Sequence, residues 1–131
     1  MKVLTRALAV SLVALLLFEG SATAAVKQIH TSIQIHASTT SVKKGKPVTF
    51  SGKLVSKSKK CKNQQQVALY KGSTKVKTKK TSNGGHYSFQ VTASKTATWK
   101  VKYAGRQFGV HPNEKKCLSS SSKGIKVTVK K

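Results

Sequence analysis

The chain turns at Asn83-Gly84-Gly85 and then alternates: Tyr87, Phe89 and Val91 are interleaved with Ser88, Gln90 and Thr92. Two glycines after an asparagine accept positive φ, so the backbone can reverse tightly there. A period of two sends Tyr87, Phe89 and Val91 to one face of a strand and the polar residues to the other. A turn feeding such a strand reads as half of a hairpin in an all-β domain.

The same alternation recurs along the chain. Ile29, Thr31, Ile33 and Ile35 face one way within 28–36, and His30, Ser32, Gln34 and His36 face the other. Val48, Phe50, Gly52 and Leu54 form the inward face of a second strand. Val67 and Leu69 mark a third. In a fourth, 75–81, Val76 and Thr78 read as inward and Lys75, Lys77 and Lys79 as outward. The Asn-Gly-Gly turn leads to the fifth, 86–92. Trp99, Val101 and Tyr103 give the sixth its inward face, and Ile125, Val127 and Val129 do so for the last, 124–130. Residues 104–116 read as a longer loop. Seven short strands at roughly ten-residue spacing point to a β-sandwich.

The first 24 residues belong to a different class of segment. Lys2 and Arg6 precede an apolar run from Ala7 to Phe18, and Ala22-Thr23-Ala24 fits the small-x-small rule for cleavage. This is the pattern of a secretory signal peptide. The run is well short of the ~20 apolar residues that cross a bilayer. Cleavage would leave residues 25–131, the size of one domain, as a secreted, extracellular protein that does not span a membrane and can associate with the cell envelope.

Charge restricts the chemistry. The full chain has 26 Lys+Arg against 2 Asp+Glu, a net charge of +24. Loss of residues 1–24 removes Lys2, Arg6 and Glu19, which leaves 24 basic side chains, Glu114 as the single acidic one, and +23. Glycosidases need two carboxylates and calcium sites need several oxygen anions. A Ser-His-Asp triad lacks its Asp. The chain therefore reads as non-enzymatic and free of cofactors. Solubility alone asks for a net charge of about 2–8 in a small domain, so the lysines call for another explanation.

Two cysteines in an exported chain read as a disulfide, Cys61–Cys117. The bridge would close a loop of 57 residues, worth ~4 kcal/mol in the chain-entropy model.

Three segments carry a family likeness. Gly45-Lys46-Pro47-Val48-Thr49-Phe50-Ser51-Gly52-Lys53-Leu54, Gln66-Val67-Ala68-Leu69-Tyr70 and Thr81-Ser82-Asn83-Gly84-Gly85-His86-Tyr87-Ser88-Phe89 resemble the bacterial Ig-like domains of secreted and surface proteins. Val127-Thr128-Val129 resembles their closing strand. The likeness covers 41–131. It implies an immunoglobulin-like β-sandwich of about seven strands over 25–131, and it carries no functional residues. In such a sandwich the loops holding Cys61 and Cys117 lie at one end.

Candidate sites are few. His30, His36, His86 and His111 show no metal-ligand spacing, and His30 and His36 on one strand would stand ~20 Å apart. Phe50, Tyr70, Tyr87, Phe89, Trp99 and Tyr103 fall at inward or strand-end positions. Phe108, near Arg106 in the 104–116 loop, is the aromatic left to contact a partner. The lysines are the main candidates: Lys57, Lys59, Lys60 and Lys62 in a loop, and Lys75, Lys77, Lys79, Lys100, Lys102, Lys126 and Lys130 in outward rows. Arg106 is the only arginine after residue 24, so bidentate reading of bases is not expected. The expected partner is an anionic polymer or anionic cell surface: a cell-wall polyanion, acidic polysaccharide or extracellular DNA. The alternative is a structural or adhesion module whose 104–116 loop recognises a protein.

Overall fold

The computed structural model describes residues 26–131, so the expected signal peptide lies outside the described residues. The strands are β1 (Lys27–Ile29), β2 (Thr31–Ala37), β3 (Ser41–Lys43), β4 (Pro47–Ser56), β5 (Gln66–Lys71), β6 (Thr74–Lys80), β7 (His86–Thr92), β8 (Ala97–Tyr103), β9 (Arg106–Phe108), β10 (Lys115–Cys117), β11 (Ser120–Ser121) and β12 (Ile125–Lys130). Among the described residues the fold is all-β, apart from one 3-10 turn at Lys59–Cys61.

Two sheets pack face to face. One has the order β2-β4-β7, and the other β3-β12-β8-β5-β6 with β11 beside β8. Phe50 of the first stacks on Trp99 of the second, ring centroids 5.1 Å apart. Val48, Leu54, Tyr87, Phe89 and Val91 join Phe50 from one side, and Val67, Leu69, Val101, Tyr103 and Val127 join Trp99 from the other. Each large side chain buried this way contributes roughly 1.5–3 kcal/mol. These are the alternating residues of the sequence, on the faces their parity assigns.

Four local readings change. The Asn-Gly-Gly turn does not close a hairpin, because β6 and β7 lie in different sheets. It arches from one sheet to the other, with Gly84 at φ +91° and Gly85 at φ +88°. Gly85 also sits on the backbone of Leu54, whose N–H donates to the Gly85 carbonyl at 2.8 Å; a Cβ there would strike the Leu54 carbonyl. The first strand breaks at His30, where β1 leaves β4's partner and pairs with β10 instead.

Residues 104–116 are not an unpaired loop. β9 and β10 form a small sheet with β1, in the order β1-β10-β9. The Cys61–Cys117 disulfide, Cα atoms 5.5 Å apart, ties this sheet to the turn after β4. In β6, finally, every residue is exposed and Val76 is 40% exposed. The register against β5 slips there: Leu69 opposes Lys77, but Tyr70 opposes Lys75. Val76 is the extra residue of a bulge, and the bulge reverses the parity on its far side.

Gly52 shows how tightly the smaller sheet is built. Tyr87, directly opposite Gly52 on β7, donates its hydroxyl to the Gln34 carbonyl of β2 at 2.6 Å. A Cβ on Gly52 would meet that carbonyl, and would lie 2.7 Å from the Tyr87 hydroxyl. Burial holds the Tyr87 phenol well above its ordinary pKa, so it keeps the donated proton. Gly52→Ala is therefore expected to destabilise the protein by about 2–3 kcal/mol, in the overpacking range. Urea unfolding checks this; a change below about 0.5 kcal/mol would contradict the packing described.

Candidate functional site

Strand pairing decides which lysines share a surface, since directly opposed residues point to the same side of a sheet. With Trp99, Val101 and Tyr103 committed to the core, Thr98, Lys100 and Lys102 face out. Tyr70 lies opposite Lys100 and also opposite Lys75. Ala68 lies opposite Lys102 and Thr78, and Gln66 opposite Lys80. Lys126 opposes Thr98, and Lys43 opposes Lys130. The outer face of the larger sheet thus gathers Lys43, Lys75, Lys80, Lys100, Lys102, Lys126 and Lys130 from β3, β6, β8 and β12, while β5 supplies Gln66, Ala68 and Tyr70 between them.

The outer face of the smaller sheet is different. Its rows are Ser32–Val55, Gln34–Lys53–His86, His36–Ser51–Ser88 and Thr49–Gln90. Among the described residues Lys53 is its one lysine. The strand lysines are therefore unequally divided between the two outer faces.

An open groove of about 720 Å³ crosses the lysine face. Ala68 forms its floor because the neighbours on the same face, Gln66 and Tyr70, are larger. Lys75, Lys100 and Lys102 border it, with Ser119, Ser120 and Ser121 at one side and Arg106 at the end. The Lys102 ammonium lies 4.5 Å from the centre of the Tyr70 ring.

A second basic cluster sits beyond Arg106. Lys60 Nζ lies 5.7 Å from the centre of the Phe108 ring, and the Arg106 guanidinium 5.8 Å from it. Lys57, Lys59 and Lys62 belong to the same segment. A buried network holds that segment in place. Tyr103 donates its hydroxyl to Gln65 Oε1 at 2.8 Å, the Gln65 N–H donates to Thr81 Oγ1 at 2.9 Å, and the Thr81 hydroxyl donates to the Lys62 carbonyl at 2.6 Å. Burial raises the Tyr103 pKa, and nearby Arg106 partly opposes the rise.

The sequence-predicted lysines divide accordingly. Lys75, Lys100, Lys102, Lys126 and Lys130 share the outer face. Lys57, Lys59, Lys60 and Lys62 lie in the disulfide-end segment. Lys77 and Lys79 point to the rim between the sheets, where they donate to the Gln90 and Ser88 carbonyls of β7 at 2.7 and 3.0 Å. They occupy hydrogen-bonding groups on β7, an edge strand of the smaller sheet. Phe108 is half-buried, packs against the core and lies under two cations, so it is not a free aromatic.

Tyr70, Lys80 and Lys43 were missed as surface-site residues. Parity from Val67 and Leu69 was the available signal for Tyr70. The bulge at Val76 concealed Lys80, and the pairing of β3 with β12 that brings in Lys43 has no local signature.

Glu114 is engaged with His111 across 3.8 Å. Among the described residues no group of three or more His, Cys, Asp or Glu could hold a metal ion. No family model, curated protein or solved structure matches the chain.

Replacing Lys100 and Lys102 together by Gln is expected to lower the slope of log affinity against log salt for polyphosphate by roughly 1.5. Replacing Lys77 and Lys79 by Ala should leave the slope unchanged and cost up to about 1 kcal/mol of stability each. Equal slope changes in the two double variants would refute the division between face and rim.

Proposed function

We propose that this is a secreted, non-enzymatic Ig-like domain that binds anionic polymers outside the cell through the outer face of its larger sheet. The observation that carries the reading is the contrast between the two outer sheet faces, one bearing Lys43, Lys75, Lys80, Lys100, Lys102, Lys126 and Lys130 and the other Lys53 alone. Self-repulsion favours spreading like charges apart, so concentrating them costs stability that a bound polyanion returns. Lysine ammoniums are mobile point charges. They suit loose, sequence-independent binding with steep salt dependence more than bidentate recognition.

The Ig-like assignment draws support from strand order. On this reading β4, β5, β7, β8 and β12 correspond to strands B, C, E, F and G, and β6 extends the C–F–G sheet as C′ would; the orders β2-β4-β7 and β3-β12-β8-β5-β6 are compatible with that. The bridge Cys61–Cys117 joins the connection after B to that between F and G, not strand B to strand F as in antibody domains. Export is supported by the signal-like residues 1–24 and by the disulfide, a feature of oxidising compartments. No helix among the described residues is long and apolar enough to cross a membrane.

Purified protein added to envelopes of the producing cell should be retained at low salt and released steeply and smoothly as NaCl rises. Retention at about 1 M NaCl would contradict electrostatic binding. Salt-insensitive retention abolished by deleting 104–116 would instead favour the protein-recognising adhesion module.

A further inference from the structure

We propose that the groove over Ala68 receives the sugar units of an acidic polysaccharide, one ring stacking on Tyr70 and its carboxylates meeting the bordering lysines. This rests on the polyanion reading and narrows it to one polymer class.

The lining is mixed. A bare polyphosphate chain needs only positive charge, and the rest of the lysine face offers that without a groove. Here Lys75 and Lys100 flank Tyr70 on both sides, directly across the strands. Between the walls, Ala68 leaves space, and the row through it runs from Thr78 through Ala68 and Lys102 to Ser121. Hydroxyl groups thus stand at both ends of the row, with the Lys102 ammonium between them. A sugar acid carries both complements on one ring: hydroxyls for neutral hydrogen bonds and a carboxylate for an ammonium. Its C–H face also packs on an aromatic ring.

The single ring argues against nucleic acid. Proteins that hold single strands provide several aromatics for successive bases. Among the described residues this face offers Tyr70 alone. The Lys102 ammonium now rests 4.5 Å from the ring centre. An exposed contact of that kind is weaker than a charge-assisted hydrogen bond, so a carboxylate can draw the ammonium away and uncover the ring.

Ala68→Leu fills the groove and keeps every charge; Tyr70→Ala removes the ring and also keeps every charge. The purified protein and both variants would be titrated with polygalacturonate, polyphosphate and oligo-dT at about 0.15 M salt, with unfolding midpoints measured alongside. Each variant is expected to lose about tenfold in polygalacturonate affinity and to bind polyphosphate within about twofold of the parent. If one variant fails to fold, the other carries the test. Unchanged polygalacturonate binding in a folded variant overturns the groove and leaves the lysine face standing. A loss larger for oligo-dT than for polygalacturonate overturns the polymer class in favour of single-stranded nucleic acid. Failure of the parent to bind any of the three overturns the polyanion reading itself.

Discussion

Phe50 and Trp99 meet ring on ring between the two sheets, and that contact sets the direction of everything on β8. Once Trp99 points inward, the pleat sends Val101 and Tyr103 inward with it, and Lys100 and Lys102 outward. Cross-strand pairing then passes the choice sideways to Tyr70, Lys75 and Lys126. The lysine face is the reverse side of the hydrophobic core. A slip of one residue would bury the ammoniums and expose the rings, so core packing and surface charge specify the same register.

The domain has to hold together under strong self-repulsion. The small sheet β1-β10-β9 and the turn after β4 bring Lys27, Lys59, Lys60, Lys115 and Lys116 to the disulfide end. The covalent tie at Cys61–Cys117 and the hydrogen bonds of Gln65 and Thr81 keep these positive segments together. At the rim, Lys77 and Lys79 spend their charge on backbone carbonyls of β7. The lysines thus differ in role: some secure the fold, and others remain free to meet a ligand.

Much of this was legible in the residues. Parity gave the inward positions of Val48, Phe50, Leu54, Phe89, Trp99 and Val127, because a half-buried strand has no freedom about which side is apolar. The cysteine pair followed from there being only two. The failures were non-local. Asn83-Gly84-Gly85 marks a reversal, but whether the chain returns beside the same strand or crosses to the opposite sheet depends on where Leu54 waits for Gly85. Val76 looked like a core residue, yet the pairing of Lys75 with Tyr70 and of Lys77 with Leu69 made it the extra residue of a bulge. Phe108 looked free because its surroundings are non-local: β10 beside it is paired by β1 from 88 residues away, and Lys60 reaches it from the turn after β4. The asymmetry between the two outer faces, on which the functional reading depends, needed the sheet order that assigns each strand to its layer.

Lysine acetylation footprinting in the presence and absence of a saturating anionic polymer tests the central claim most directly. Binding through one face should protect Lys100, Lys102, Lys126 and Lys130 strongly, while Lys53 on the opposite face keeps its reactivity. Equal protection of Lys53 and the outer-face lysines would mean that the polymer wraps a uniformly charged body, and the one-sided binding face would be wrong.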